Sequence, residues 1–315
     1  MAHQARHLQA PNKSPSGDLT ALPQSKPRRD GNDAASSISP EAQPFLKWAG
    51  GKAQLLSQFE QFFPTPITRY VEPFLGGGAV FFRLKARFPG MRARLRDNNP
   101  ELVNCYAVVR DRPIELMTAL DEHLARFRSE REIYYYLVRS RHHLTEPVER
   151  AARMIFLNKT CYNGLWRVNA RGEFNVPVGS YKADKVTLYD RANLLAASRE
   201  LKETDLAVED FRDTLRQASG GTFVYVDPPY HPISATSNFT SYTREEFGKA
   251  EQQELAAVFA EAARRGALLM QSNSDTPFIR QLYHGFRAET VKARRAVNSN
   301  GARRGLISEA LILSY

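Results

Sequence analysis

Four consecutive residues, Asp227, Pro228, Pro229 and Tyr230, follow directly on the apolar run TFVYV. Such a run reads as a buried strand, and prolines end strands. A carboxylate at that place adds nothing to a core. The order of residue types suits one reaction well, the alkylation of an exocyclic amine on a nucleobase. The lone pair of that amine is delocalised into the ring, so the nitrogen is a poor nucleophile. The Asp227 carboxylate can accept a hydrogen bond from one N–H. The Pro228 carbonyl, held in place by proline's fixed φ, can accept the other. Together they favour a pyramidal nitrogen whose lone pair points at an electrophile. Tyr230 adds a flat face for stacking the base. The contribution is orientation and electrostatics more than proton removal. A base inside a duplex must first leave its stack, and stacking on Tyr230 offsets part of that cost. The plainer alternative is a proline turn that merely ends a strand.

Three further constellations carry chemistry. VEPFLGGG (71–78) is a strand, an acid and a glycine turn that opens a helix. Glycines let the backbone approach a ligand, and a helix N-terminus presents free N–H groups. The pattern is neither G-x-G-x-x-G nor a P-loop, so phosphate binding is not implied. It also reads simply as a tight strand-to-helix turn. Asp97 closes the next strand, in RDNN. There it can accept hydrogen bonds from ribose hydroxyls or cap the following helix, with Asn99 the better cap before Pro100. FLKWAGGK (45–52) joins Trp48 to Lys47 and Lys52 across two glycines. It reads as a lid over a ligand or as a loop that packs Trp48 on a sheet.

Positioning these groups requires strands that end at one edge. The segments 69–74, 92–97, 206–210, 222–227, 267–273 and 307–315 read as strands. Segments 79–88, 99–110 and 245–265 read as helices. The alternation predicts an α/β fold, a mostly parallel sheet with helices on both faces. Ligands of such sheets sit at the carboxyl ends of the strands. Asp97, Asp210 and Asp227 each close a predicted strand and so face one crevice. The middle of the chain differs. From Pro113 to about Leu144 it is charged and aromatic with helical spacing. CYNGLWRVNARGEFNVPVGSYK (161–182) then has the turn chemistry of a hairpin, with aromatics between Arg167, Arg171 and Lys182. The expected organisation is a tail over 1–43, a sheet domain over 44–112 and 189–315, and an insert over 113–188.

Composition bounds the partners. The 315 residues carry a formal net charge of +10. The tail is nearly balanced in charge and poor in apolar residues, which predicts disorder. The basicity therefore lies in the body and favours a polyanion. No apolar run is long enough to span a bilayer. The N-terminus lacks an apolar signal core. Cys105 and Cys161 fit no zinc spacing. These features predict a reducing cytoplasmic setting, close to the nucleoid if the polyanion is DNA, and no metal.

In their order along the chain, FLKWAGGK, EPFLGGG, RDNN, CYNGLWRVNARGEFNVPVGSYK, DPPY, SATSNFTSY and AVNSNGARRGLISEALILSY resemble the Dam-type DNA adenine-N6 methyltransferases. The order of glycine turn, insert and tetrapeptide resembles the alpha arrangement of amino-methyltransferases. The likeness runs from about Pro44 to Tyr315. It implies a Rossmann-like S-adenosylmethionine-dependent methyltransferase sheet with an inserted helical plus hairpin DNA-recognition subdomain. It also implies that Trp48, Lys52, Glu72, Phe74, Gly76, Asp97 and Asp227 hold the S-adenosylmethionine cofactor, with Asp210 and Phe211 near its adenine ring. Asp227, Pro228, Pro229 and Tyr230 would form the target-adenine site.

The resemblance extends to the GATC-specific subgroup, which carries the residues found here at Tyr162, Asn163, Leu165, Arg167 and Pro177. Arg167 would bond bidentately to a guanine's O6 and N7. Leu165 and Pro177 would meet thymine methyls, and Tyr162 would wedge into the stack. Lys47 would read the outer guanine. Asn238 and Tyr242 would lie near DNA on a loop over the target base. Arg294, Arg295, Arg303 and Arg304 would hold phosphates or form a solvated face. The chain departs from the family at Gly77, where relatives often carry Ala or Ser, and at Asn98, which replaces an isoleucine. The expected product is N6-methyladenine in duplex DNA, made by a monomer. Alternatives are a methyltransferase for another DNA site or for RNA, and an inactive DNA-binding module.

Overall fold

The computed structural model describes residues 41–232, 247–294 and 306–315. Its frame is a seven-stranded sheet in the order β3-β2-β1-β4-β5-β7-β6. The strands are β1 (Arg69–Glu72), β2 (Arg92–Asp97), β3 (Thr204–Val208), β4 (Phe223–Val226), β5 (Leu268–Ser274), β6 (Arg287–Arg294) and β7 (Leu306–Leu313). Strands β1 to β5 pair in parallel, and β7 runs antiparallel to both β5 and β6. The helices are α1 (Leu56–Phe59), α2 (Ala79–Arg87), α3 (Pro100–Asp111), α4 (Pro113–Arg139), α5 (Pro147–Thr160), α6 (Arg191–Leu201), α7 (Phe211–Arg216), α8 (Lys249–Arg264) and α9 (Pro277–Leu282). No helix among the described residues is long and apolar enough to cross a membrane.

The central strands β1, β4 and β5 are buried on both faces, and alternate side chains go to opposite sides. Tyr70, Phe223, Tyr225, Met270 and Leu311 enter one apolar cluster, packed on α2 to α6. Val71, Val224, Val226, Leu269 and Ile312 enter the other, packed on α7, α8 and α9. The middle segment shares the first cluster. Leu116, Phe127, Tyr135, Phe156 and Trp166 belong to the same core as Tyr70 and Phe223. Helix α4 is broken at Arg131, whose φ is 41°. The Arg131 guanidinium donates to the Tyr181 carbonyl at 2.7 Å and so ties the break to the segment after the hairpin.

Two differences from the sequence reading have physical causes. Strand β6 was not expected, because RAETVKAR is charged and apolar at few positions. It is an edge strand, and edges tolerate charge. Asp210 does not close a strand. Strand β3 stops at Val208, and the Asp210 side chain caps α7, accepting from Arg212 N–H at 2.8 Å and pairing with the Arg212 guanidinium at 2.9 Å. The hairpin at 161–182 forms by two isolated antiparallel bridges, Cys161 with Val178 and Val168 with Phe174. Its tip is closed by the Asn169 side chain, which accepts from Arg171 N–H at 2.9 Å and Glu173 N–H at 3.0 Å.

Candidate active site

The carboxyl ends of β1, β2 and β4 open into one cleft of about 330 Å³. Its lining brings together Trp48, Lys52, Glu72, Phe74, Gly76, Asp97, Asp227, Pro228, Pro229 and Tyr230. These residues are 182 positions apart at the extremes, Trp48 to Tyr230. Asp210 and Phe211 do not line this cleft. Asp210 lines a neighbouring groove together with Asn98 and Asn99, which border both spaces. Phe211 is buried beneath Phe74, their rings stacked at 5.4 Å. Phe247 closes against both rings at 5.8 and 5.6 Å.

The glycine turn is shaped by close approaches. Gly76 has φ +48°, and a Cβ there would lie 2.9 Å from Trp48 Cδ1. Only glycine lets the Trp48 indole lie on this turn. Gly76 N–H donates to Asp97 Oδ2 at 3.1 Å, and Asn99 N–H donates to Oδ1 at 3.0 Å. Asn99 caps α3, accepting from Glu101 and Leu102 N–H groups, as its sequence position before Pro100 predicts. Asp97 is thus relieved of capping α3 and points at the turn. Protein crowding on the cleft floor pushes its carboxyl up to about 6, although the Gly76 and Asn99 bonds pull the other way.

The cleft has four carboxyl groups, Glu72, Asp97, Asp227 and Glu309, against a single lysine, Lys52, among its described lining. Burial pushes Glu72 well above the usual carboxylate range, and the Tyr70 hydroxyl donates to it at 2.8 Å. Lys52 is buried, with Nζ 2.8 Å from Asp227 Oδ2 and 4.8 Å from the Tyr230 ring centroid. It also contacts the Gly50 carbonyl. Asp227 Oδ1 accepts from the Ser272 hydroxyl at 2.8 Å. The Tyr230 hydroxyl donates to Glu309 Oε2 at 2.7 Å. Burial raises the Glu309 carboxyl, while Lys52 and that bond restrain it.

Behind the tetrapeptide lies a polar relay that sequence reasoning missed. Buried Gln252 on α8 donates to the Pro229 carbonyl at 2.8 Å. Asn273 Nδ2 donates to Gln252 Oε1 at 3.0 Å, and Asn273 Oδ1 accepts from His231 N–H at 3.1 Å. The relay grips the loop on both sides of Tyr230. Gln252→Leu should leave the Pro229 carbonyl and a buried Asn273 donor unpaired, lowering stability by about 1–3 kcal/mol. Denaturant unfolding checks this, and an unchanged midpoint would show that the relay is replaceable. Glu309 and Ser272 were missed for a similar reason, since each lies far from the tetrapeptide along the chain. A polar residue inside an apolar strand was their one available signal.

Tyr162 (51% exposed), Asn163, Arg167 and Pro177 stand on the surface of the hairpin, and Leu165 is half-buried. Tyr162 N–H donates to the Pro177 carbonyl at 2.9 Å, which joins the two arms. Arg167 Nε donates to Asn175 Oδ1 at 2.8 Å. Exposed Lys47 reaches over the Tyr181 ring at 5.1 Å. Lys159, not singled out from the sequence, lies close enough to feel the Lys47 cation. Burial first, and Lys47 second, push its amine down to about 8. Asn238, Tyr242, Arg295, Arg303 and Arg304 lie outside the described residues, as does the side chain of Arg294.

A parallel sheet finished by an antiparallel strand pair, with an acid at the end of β2 and a glycine turn after β1, defines a fold of the S-adenosylmethionine-dependent methyltransferase type. Residues 48–297 match the family model described as D12 class N6 adenine-specific DNA methyltransferase. The chain belongs to that family and is an adenine-specific DNA methyltransferase, with S-adenosylmethionine as methyl donor. It is 43% identical to the type II methyltransferase M.MjaIII of Methanocaldococcus jannaschii, over 87% of this chain and all of that one. It is 37% identical to the type II methyltransferase M1.LlaDCHI of Lactococcus lactis subsp. cremoris, over 86% of this chain and 95% of the relative. The DNA adenine methylase of Escherichia coli K12 is 36% identical, over 85% of this chain and 94% of its own.

Proposed function

We propose that the protein methylates adenine N6 within GATC in duplex DNA, acting on a base rotated out of the helix. In this reading, residues 113–188 form the target-recognition unit. The observation that carries it is the single cleft that holds the glycine turn, Asp97 and the Asp227–Tyr230 tetrapeptide side by side. The donor set fits the cofactor. The cleft volume lies in the range of small-molecule sites. S-adenosylmethionine supplies an electrophilic methyl on a sulfonium. Asp97 would accept the ribose hydroxyls, Trp48 would cover the turn, and Glu72, Phe74 and Gly76 would complete the wall. Asp210 and Phe211 would act around the adenine ring through the Phe74 stack and the Asn98 border.

Asp227 would accept one N–H of the target amine and the Pro228 carbonyl the other. Lys52 holds one oxygen of Asp227 and Ser272 the other. The carboxylate is therefore oriented before substrate arrives, and little reorganisation remains for the reaction. Tyr230, anchored through its hydroxyl to Glu309, would present its ring to the base. The hairpin residues Tyr162, Asn163, Leu165, Arg167 and Pro177, with Lys47, would read the flanking bases. Their match to the GATC-specific pattern supports that site, and their exposure suits a groove contact. Asn238 and Tyr242 would contact DNA near the target base. Arg294, Arg295, Arg303 and Arg304 would meet phosphates.

Labelled S-adenosylmethionine with duplexes carrying GATC or GTTC tests the reading. Transfer confined to GATC supports it. Equal transfer to both, or to neither, overturns the assigned site. A pH dependence follows as well. The ionised form of Asp97 is the one that accepts from ribose. With its carboxyl at about 6, that form is complete at pH 8 and is lost as pH falls below 6. Cofactor association should weaken about tenfold for each pH unit below that value. Calorimetric titration between pH 5 and 8 measures it, and a flat profile would rule out the ribose role.

A further inference from the structure

Asn158 lies near the end of α5 and is 0% exposed. A buried amide is costly unless every polar atom finds a partner. Here the partners are main-chain groups of two separate segments. Oδ1 accepts from Lys47 N–H at 2.8 Å. Nδ2 donates to the Lys47 carbonyl at 2.7 Å and to the Gly164 carbonyl at 3.2 Å. Gripping both main-chain groups of one residue fixes its position and direction, as a strand partner would. Lys47 immediately precedes Trp48, which lies on the glycine turn. Gly164 stands between Asn163 and Leu165 at the start of the hairpin.

A second contact joins the same two segments. Gly164 has φ +65°, and a Cβ there would lie 2.9 Å from Lys47 Cβ and 2.8 Å from Lys47 Cδ. The Lys47 stem therefore lies directly against the Gly164 main chain. We propose that Asn158 is a specificity-determining positioning residue. It locks Lys47 and the turn bearing Asn163 and Leu165 into one rigid reading edge, and it sets that edge against the cofactor loop at Trp48. The inference rests on the reading of Lys47, Asn163 and Leu165 as base-reading residues. A base contact discriminates only while its donor stays within hydrogen-bonding geometry. Two readers on separate loops keep that geometry together only if something joins the loops.

The test uses the full chain with Asn158→Ala and, separately, Gly164→Ala. For each, kcat/KM is measured on a GATC duplex and on duplexes altered at one base pair. Cofactor affinity and thermal unfolding are followed in parallel. The expected result for Asn158→Ala is a fall of about tenfold or more in the ratio of cognate to altered rates, the scale of one lost base contact. Any change in cofactor Kd, transmitted through adjacent Trp48, should be smaller than the change in that ratio. Gly164→Ala, which displaces the Lys47 stem with Asn158 intact, should move the same ratio. A role in the fold alone would lower all rates together and leave the ratio unchanged, which overturns the proposal. Failure of both variants to fold also overturns it. If the wild-type enzyme prefers a different sequence, the GATC reading falls, and the ratio for that sequence still decides the role of Asn158. A wild-type enzyme with no preference sinks both.

Discussion

Replacing Asp227 with alanine should lower the single-turnover rate of methyl transfer by roughly 10³-fold or more, the scale of losing a preorganised electrostatic partner. Affinity for duplex DNA should be largely kept. The reason is where the carboxylate sits. It directly follows β4 in the cleft, whereas the described candidate DNA-reading side chains, Lys47 apart, stand on the hairpin at 162–177. Alanine removes the acceptor for one amine hydrogen and leaves Lys52, whose side chain is 5% exposed, without its 2.8 Å partner. An uncompensated buried cation destabilises; Asp227→Asn shares that cost but keeps the side-chain volume, so it isolates the loss of charge. The amide retains an oxygen for Ser272 and for the target amine but lacks the charge. Its rate should fall between wild type and alanine. Single-turnover assays beside DNA-binding titrations separate the two effects. A rate within tenfold of wild type for Asp227→Ala would remove Asp227 from the chemistry.

Arg167→Ala should relax sequence preference by about 1–3 kcal/mol, roughly 5- to 150-fold in relative kcat/KM, while rates on altered duplexes change little. Asn175 Oδ1 accepts from Nε at 2.8 Å. The two terminal nitrogens make no hydrogen bond among the described residues, so the outer edge of the guanidinium stays available to a guanine's O6 and N7. Holding one nitrogen while presenting the others limits the side-chain entropy lost on binding. Competition between duplexes differing at one base pair measures the effect. An unchanged preference would assign Arg167 to the phosphate backbone instead. A uniform drop for all duplexes, with a shallower salt dependence, would say the same.

Much of the active site is legible because its parts are local. The glycine turn follows β1, Asp97 ends β2, and the tetrapeptide follows β4. Each is a short string whose residue types state what the backbone must do there. The apolar runs before them announce buried strands, and parallel strands place their carboxyl ends at one edge. The hairpin at 161–182 is likewise announced by Gly164, Gly172, Gly179 and the asparagines. The Asp210 end was misplaced because an acid after an apolar run serves equally as a strand end and as a helix cap.

What remained hidden depends on contacts between distant strands and loops. Glu309 reaches Tyr230 because β7 enters the sheet antiparallel beside β5, a register no local pattern encodes. Ser272, on β5 beside β4, meets Lys52 of the 45–52 segment at Asp227, and Gln252 of α8 meets Asn273 of β5 behind Pro229. The joint at Asn158 brings residue 47 to residue 164 through one buried amide. The amino-acid order specified which chemical groups exist and which strand ends carry them, because short-range sterics and side-chain alternation act within a few residues. Folding selected which groups touch, because buried polar atoms must find partners and those partners come from whichever segments the packed sheet brings near.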